Sequence, residues 1–163
     1  NAPDAQAAWE SMMSLWAAFM GHAGLIKQGA GWIEGGLTAS FEKFILDAEM
    51  LQIMQAFCVP PEISEAEFGL EAMAEAGPGG HFFGTSHALE RYESAFYSPL
   101  VSDWRNFETW QEGSSPSTAQ NANRVWKQLL AEHEDPPLDP AIRDKLDAFV
   151  VRRKEELNSA SAA

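Results

Sequence analysis

The stretch QGAGWIEGGLTASFEKF, from Gln28 to Phe44, decides how this chain is interpreted. Four glycines, at positions 29, 31, 35 and 36, surround Trp32 and Glu34, and an amphipathic helix is predicted to begin after them. Glycine adopts backbone conformations closed to other residues and lets a ligand approach the main chain. The stretch therefore predicts a ligand-binding loop, and the alternative is a tight turn with Trp32 in the core and Glu34 exposed.

Helical patterns lie on both sides of this loop. Apolar residues at spacings of three and four predict two helices with buried stripes. The second helix is predicted to be capped by Thr38 and to end near Phe57, with its charged residues mostly off the stripe, and LIKQ at residues 25–28 predicts a short strand. The two predicted stripes are Trp9, Met12, Met13, Trp16, Phe19 and Met20, then Phe41, Phe44, Ile45, Ala48, Leu51, Met54 and Phe57.

Further helices are predicted downstream from capping residues. Ser64 with Glu67, and Ser117 with Gln120, have the spacing of a capping box, while Asp139 before Pro140 predicts the start of the last helix. An aromatic, serine-rich segment at residues 97–117 predicts an ordered but irregular covering segment. The helices are predicted at residues 64–77, 86–95, 117–133 and 139–157, with a frayed tail after them.

Composition excludes several classes of function. The chain has 163 residues and a formal net charge of −13, so it lacks the basic footprint of a nucleic-acid binder or of a protein that binds an anionic membrane. No apolar run approaches the roughly 20 residues of a membrane span, and no signal peptide is apparent. The single cysteine, Cys58, cannot form an intrachain disulfide and is predicted to be a buried structural thiol. We expect a cytoplasmic protein.

Two glycine-rich segments carry the candidate binding residues. Trp32 can stack on a cation, and Glu34 can pair with one. In GGHFFGTSHALERYE, residues 79–93, His81 is a polar group in an apolar wall made by its phenylalanine neighbours, with a structural histidine as the alternative. The histidines and glutamates of this segment lack the convergent spacing of a zinc site, so we predict no metal site. The chain contains no G-x-S-x-G motif, so the sequence does not indicate a serine nucleophile.

Three segments in order resemble a known family. They are GAGWIEGGLTASFEKFILDAEML (29–51), GPGGHFFGTSHALERYESAFYSPLVSDWRNFETW (77–110) and ANRVWKQLLAEHEDPPLDPAIRDKLDAFVVRR (122–153). Together they resemble the C-terminal third of the trimethylamine:corrinoid methyltransferase family, in its non-pyrrolysine form. The similarity extends over roughly residues 5–153.

The resemblance implies a helix-rich α/β fold, namely the C-terminal portion of a TIM (β/α)8 barrel with extra C-terminal helices and few strands in this chain. It implies a single domain, with residues 1–96 as the last βα units and residues 97–163 as a covering segment and helices. The implied activity moves a methyl group from a methylated amine, such as trimethylamine or glycine betaine, to the Co(I) of a corrinoid. A separate corrinoid protein carries that cofactor, this chain binds none tightly, and we expect the chain alone to be inactive.

The resemblance also places the site at the two glycine-rich segments, without assigning catalytic residues. A stand-alone interaction module and an amine-binding module without catalysis remain alternatives, and a homo-oligomer remains open. The predicted substrate-binding residues are Trp32, Glu34, Gly35, Gly36, His81, Phe82 and Phe83.

Overall fold

The computed structural model describes residues 2–161, and the chain divides into two compact units, Asn1–Leu130 and Ala131–Ala163. Helices predominate, as predicted. The membership of residues 1–96 in a barrel stays a prediction. In chain order the elements are α1 (Ala5–Met20), β1 (Trp32–Ile33), β2 (Thr38–Ala39), α2 (Phe41–Phe57), α3 (Leu70–Ala76), α4 (Ser86–Arg91), α5 (Phe107–Glu112), α6 (Thr118–Ala131) and α7 (Pro140–Ser161).

Helix α2 is the centre of the first unit, because both of its apolar cores include α2 residues. One core joins α1 to α2 and contains Leu15, Met50 and Met54, with Trp16 packed against it. The other core joins α2 to α6 through Ile45, Val101 and Ala122, with Leu46, Val125 and Trp126 packed against it. Burial of such side chains contributes about 1.5–3 kcal/mol each.

The predicted buried stripes are only partly confirmed, because Ile45 and Met54 are buried but most other members are exposed. On α1 only Leu15 is buried, while Trp9 is 64% exposed. On α2 the aromatic side chains are more than half exposed, Phe57 at 72%, although Phe41 stacks on Trp126 and Phe57 contacts Trp16. The buried positions of α2 include Lys43, Asp47 and Glu49, because these charged groups make directed contacts with other segments. The exposed members of the predicted stripes are Trp9, Met12, Met13, Phe19, Met20, Phe41, Phe44, Leu51 and Phe57.

The strands of this region lie within the glycine-rich loop and not before it. Residues 25–28 form no strand, contrary to the prediction. Instead β1 and β2 pair antiparallel, with Trp32 opposite Ala39 and Ile33 opposite Thr38, and a 3-10 turn joins them. Thr38 therefore belongs to a strand, and the cap of α2 is Ser40, whose hydroxyl accepts from the Lys43 amide at 3.2 Å.

Capping residues located several helix starts well. Ser117 and Gln120 form the reciprocal capping box before α6, at 2.8 and 3.3 Å. The Ser64 hydroxyl also accepts from the Glu67 amide at 3.3 Å, but the chain then makes turns, and α3 begins only after Gly69 with φ +65°. Helix α4 is shorter than predicted, and α5 lies inside the segment predicted to be irregular.

The second unit consists mainly of α7. The Asp139 carboxylate accepts from the Ala141 amide at 2.8 Å, which confirms the predicted cap, with Pro140 as the first helical residue. The helix continues to Ser161, so the frayed tail predicted after Leu157 is wrong for the described residues.

Two further observations concern surface properties. Cys58 is exposed at the C-terminal end of α2, so the prediction of a buried thiol is wrong. Within residues 2–161, no helix combines the length and apolar character that a membrane crossing requires.

Candidate functional site

The turn of the hairpin holds its backbone in a left-handed conformation at three consecutive residues. The φ angles are +53° at Glu34, +62° at Gly35 and +90° at Gly36. Glycine accepts these angles readily, whereas a residue with a Cβ atom is strained there by about 1–2 kcal/mol. The Thr38 hydroxyl donates to the Glu34 carboxylate at 2.6 Å and fixes the side chain over the turn. Strain at a non-glycine residue of this kind concentrates at functional sites.

Gly31 anchors the other end of the hairpin. Its amide donates to the Asp47 carboxylate at 2.9 Å, and its carbonyl accepts from the Ser40 amide at 2.9 Å. Its φ is +88°, and an added Cβ would lie 3.2 Å from the Cβ of Phe44. Glycine at this position is therefore required both by the backbone angle and by the close approach to α2.

A buried polar network lies beneath this anchor. The Lys43 ammonium donates to one carboxylate oxygen of Asp47, and also to the Ser11 hydroxyl of α1 at 2.6 Å. The second carboxylate oxygen of Asp47 accepts from Gly31. Lys43 is 1% exposed and Asp47 is 2% exposed, so the pair is shielded from water. The network ties α1, α2 and the hairpin together at one point.

A cavity of about 380 Å³ opens between α1 and the hairpin. Its lining includes four of the seven predicted site residues, Trp32, Glu34, Gly35 and Gly36. Helix α1 supplies polar groups on the opposite side. The α1 and N-terminal polar residues in the lining are Asp4, Gln6, Glu10, Ser11 and Ser14.

The charge of the cavity wall suits a cation. Asp4, Glu10 and Glu34 contribute carboxylates, and Lys27 contributes an ammonium group, while the charge of Asp47 is balanced by Lys43. Glu10 accepts from the Gln6 amide group at 2.8 Å, which orients its side chain along α1. An excess of carboxylates in a cavity that Trp32 also lines favours a positively charged ligand.

The second predicted segment lies elsewhere in the unit. Phe82 begins a 3-10 turn that packs against α3 and α4, and His81 immediately precedes it. The His81 and Phe83 rings are 5.8 Å apart, and both phenylalanines are exposed, Phe83 at 86%. None of the three residues lines the cavity beside Trp32. Their role in substrate binding stays a prediction.

Glu42 joins the start of α2 to α6. Its carboxylate accepts from the Asn123 side chain at 2.6 Å, from the Trp126 indole at 2.8 Å and from the Ser40 hydroxyl at 3.0 Å. Hydrogen bonds from Asn123 first, and then from Trp126, lower the pKa of Glu42 to about 2. Glu42 is therefore ionised at neutral pH.

Glu49, two turns further along α2, also binds another segment through its carboxylate. Its carboxylate accepts from the Ser102 amide at 3.1 Å, and also from the Val101 amide and the Ser102 hydroxyl. These bonds hold residues 101–102 against α2, next to the core formed with α6. In the described part of the chain, no group of three or more His, Cys, Asp or Glu side chains is arranged to hold a metal ion.

Sequence inspection missed Ser11, Lys43 and Asp47. The available signal was the i, i+4 spacing of Lys43 and Asp47 on a helix that follows a glycine loop. That spacing is common on exposed helix faces, so it did not distinguish a buried pair from a solvated one.

Comparison with known proteins identifies the family. A sequence model described as trimethylamine methyltransferase (MTTB) matches residues 1–158. The chain belongs to this family. The match extends over both glycine-rich segments and into α7, in agreement with the three segments that carried the resemblance.

Two curated relatives in this methyltransferase family are named for different methylated amines. A glycine betaine methyltransferase of Desulfitobacterium hafniense is 34% identical over 154 residues, which are 94% of this chain and 32% of that protein. The trimethylamine methyltransferase MttB2 of Methanosarcina mazei is 29% identical over 150 residues, which are 91% of this chain and 30% of that protein. The chain thus spans about a third of the length of these relatives.

Proposed function

We propose that this chain forms part of a methyltransferase that moves a methyl group from a methylated amine to the cobalt of a corrinoid carried by another protein. The observation that supports this most directly is the cavity that Trp32 and Glu34 line together with the carboxylates of Asp4 and Glu10. Membership in the trimethylamine methyltransferase family supports the reaction class. The names of the two relatives favour trimethylamine or glycine betaine as the substrate.

A quaternary amine such as glycine betaine has no N–H proton, and trimethylamine is a cation in its protonated form, so for either substrate the protein must bind the cation, orient one methyl group and exclude water. When bound, the corrinoid of the partner protein would supply the Co(I) nucleophile that takes up the methyl group, and the amine would leave as a neutral molecule that keeps the electrons of the carbon–nitrogen bond. In this proposal Trp32 binds the cation through its ring face, and Glu34 pairs with its charge.

The hairpin turn also fits the approach of a large planar group. A Cβ added at Gly35 or Gly36 would meet no atom within 4 Å, so the turn presents bare backbone to open space. We propose that this edge faces the corrinoid ring while Trp32 and Glu34 hold the amine. His81, Phe82 and Phe83 would complete the site from the second segment.

Helices α1 and α2 carry many exposed aromatic and other apolar side chains. Isolated exposed apolar side chains are ordinary, but the large number exposed on α1 and α2 favours packing against other protein. We propose that in a family-length polypeptide the barrel covers this surface, and that the 163-residue chain alone does not turn over substrate.

The test uses the native polypeptide with its corrinoid protein and follows the demethylated product of trimethylamine or glycine betaine. Glu34→Gln keeps the size of the side chain and removes its charge, so KM for the amine should rise about 10-fold or more, as expected when one cation contact of about 1.4 kcal/mol is lost. Trp32→Leu should act in the same direction. Glu108→Gln, at an exposed glutamate of α5, is the matched control and should leave KM unchanged.

Each negative outcome has a separate meaning. Unchanged KM in both Glu34→Gln and Trp32→Leu would refute the amine site at the hairpin. Amine binding by calorimetry without any demethylated product would favour the binding module over the enzyme. A loss of activity in His81→Ala with unchanged amine affinity would assign that residue to the corrinoid side of the site.

A further inference from the structure

The two carboxylate oxygens of Asp47 serve different partners. One accepts from the buried ammonium of Lys43, and the other accepts from the amide of Gly31 at 2.9 Å. Gly31 immediately precedes β1, which begins at Trp32. Asp47 is therefore the group through which α2 fixes the start of the hairpin that carries Trp32 and Glu34.

We propose that Asp47 is a positioning residue for the methyl-transfer site, and that it acts through the oxygen that accepts from the Gly31 amide. The inference rests on the proposed function for the identity of the reaction. The anchoring contact itself rests only on the geometry. Asp47 lines the cavity but is 2% exposed, so its carboxylate is committed to Lys43 and Gly31 rather than to a ligand.

The buried Lys43–Asp47 ion pair is not well explained by a contribution to stability alone. Replacing a buried ion pair by apolar residues of similar volume often leaves stability unchanged or raises it, because the cost of removing two charges from water is avoided. The amide of Gly31 is different, since a buried amide without an acceptor is costly and the chain must move to hydrate it. The acceptor at residue 47 therefore matters for the hairpin more than the charge does.

Two double variants separate these contributions. Lys43→Met with Asp47→Asn removes the ion pair and keeps an oxygen that accepts from Gly31. Lys43→Met with Asp47→Leu has a side chain of the same shape at residue 47 but without an acceptor. Both are made in the native polypeptide and compared by thermal unfolding, by hydrogen exchange of peptides covering residues 29–36, and by kcat for the methylated amine with the corrinoid protein.

In the Asn variant, exchange and kcat should stay within about 3-fold of the wild type. In the Leu variant, exchange of residues 29–36 should accelerate, and kcat should fall by about 10- to 100-fold because the binding groups of the hairpin are displaced. If the Lys43–Asp47 ion pair served only to stabilise the fold, the Asn and Leu variants would both lose it and behave alike. Near-normal exchange and kcat in the Asn variant alone would therefore identify the acceptor at residue 47 as the important group.

Three outcomes would decide against the inference or against the proposed function. Equal exchange in the two variants would overturn the anchoring. Accelerated exchange with unchanged kcat in the Leu variant would overturn the positioning role. If the wild-type polypeptide releases no demethylated amine, the proposed function fails, and the exchange comparison still decides whether Asp47 anchors the hairpin.

Discussion

Replacing Glu42 by glutamine should weaken the protein at neutral pH and much less at acid pH. Hydrogen bonds from Asn123 and Trp126 favour the ionised form, so the pKa of Glu42 is about 2 in the folded protein, against an ordinary value of 4.5. A folded pKa below the unfolded one means that the stabilisation is fully present above about pH 4.5. It is lost as the pH falls from 4.5 towards 2.

The magnitude follows from the two pKa values. A difference of one in pKa corresponds to about 1.36 kcal/mol, so the step from 4.5 to about 2 sets an upper limit of about 3 kcal/mol. Glu42 is only half-buried, and water screens part of this interaction. Glutamine also retains one acceptor oxygen for Asn123 or Trp126. The expected loss for Glu42→Gln at pH 7 is therefore about 1–2 kcal/mol.

The assay is urea unfolding followed by circular dichroism at pH 7 and at pH 3. The difference between wild type and Glu42→Gln should shrink by roughly half or more at pH 3, because the wild-type carboxylate has lost much of its advantage. Glu108→Gln, at an exposed position, should stay within about 0.5 kcal/mol of wild type at both pH values. A Glu42→Gln penalty that is the same at pH 7 and pH 3 would refute the assignment to ionised hydrogen bonds.

Two further predictions concern single positions. A Cβ at Gly80 would collide with the carbonyl oxygen of Ala76, whereas one at Gly84 would meet nothing within 4 Å. Gly80→Ala should therefore lower the free energy of unfolding by about 1–3 kcal/mol, and Gly84→Ala should lower it by much less. Similar losses of stability in the two variants would contradict this backbone packing. Cys58 is exposed, so a thiol reagent should modify it at the same rate with and without denaturant; a thiol that reacts only in denaturant would contradict its exposure.

Local signals in the sequence predicted the helices well. Capping depends on residues two or three positions apart, and the chemistry of Ser117, Gln120 and Asp139 was sufficient to place the starts of α6 and α7. The same reasoning failed for α3, where Gly69 adopts a left-handed conformation between the Ser64 cap and the helix. It also missed α5, whose Asn106 cap accepts from Thr109 at 2.9 Å.

Tertiary contacts could not be predicted in this way. Helical periodicity assumes that apolar residues mark the buried face, yet on α2 the buried face includes Lys43, Asp47 and Glu49. Their partners outside α2 are Ser11 for Lys43, Gly31 for Asp47 and Ser102 for Glu49, which lie 32, 16 and 53 positions away. No local pattern specifies such contacts, so the sequence could suggest the hairpin as a candidate site but not the groups that hold it.

These polar contacts give α2 a central position in the proposed site. Asp47 holds the hairpin, Lys43 reaches α1, Glu49 holds residues 101–102 and Glu42 holds α6. Each contact is directional, so together they fix the orientation of four segments around one helix while leaving its aromatic side chains exposed. A chain held by a large apolar core would have those aromatic residues inside. The arrangement therefore supports the proposal that the exposed aromatic residues of α2 pack against a barrel, and that the polar contacts keep the proposed amine-binding hairpin in place.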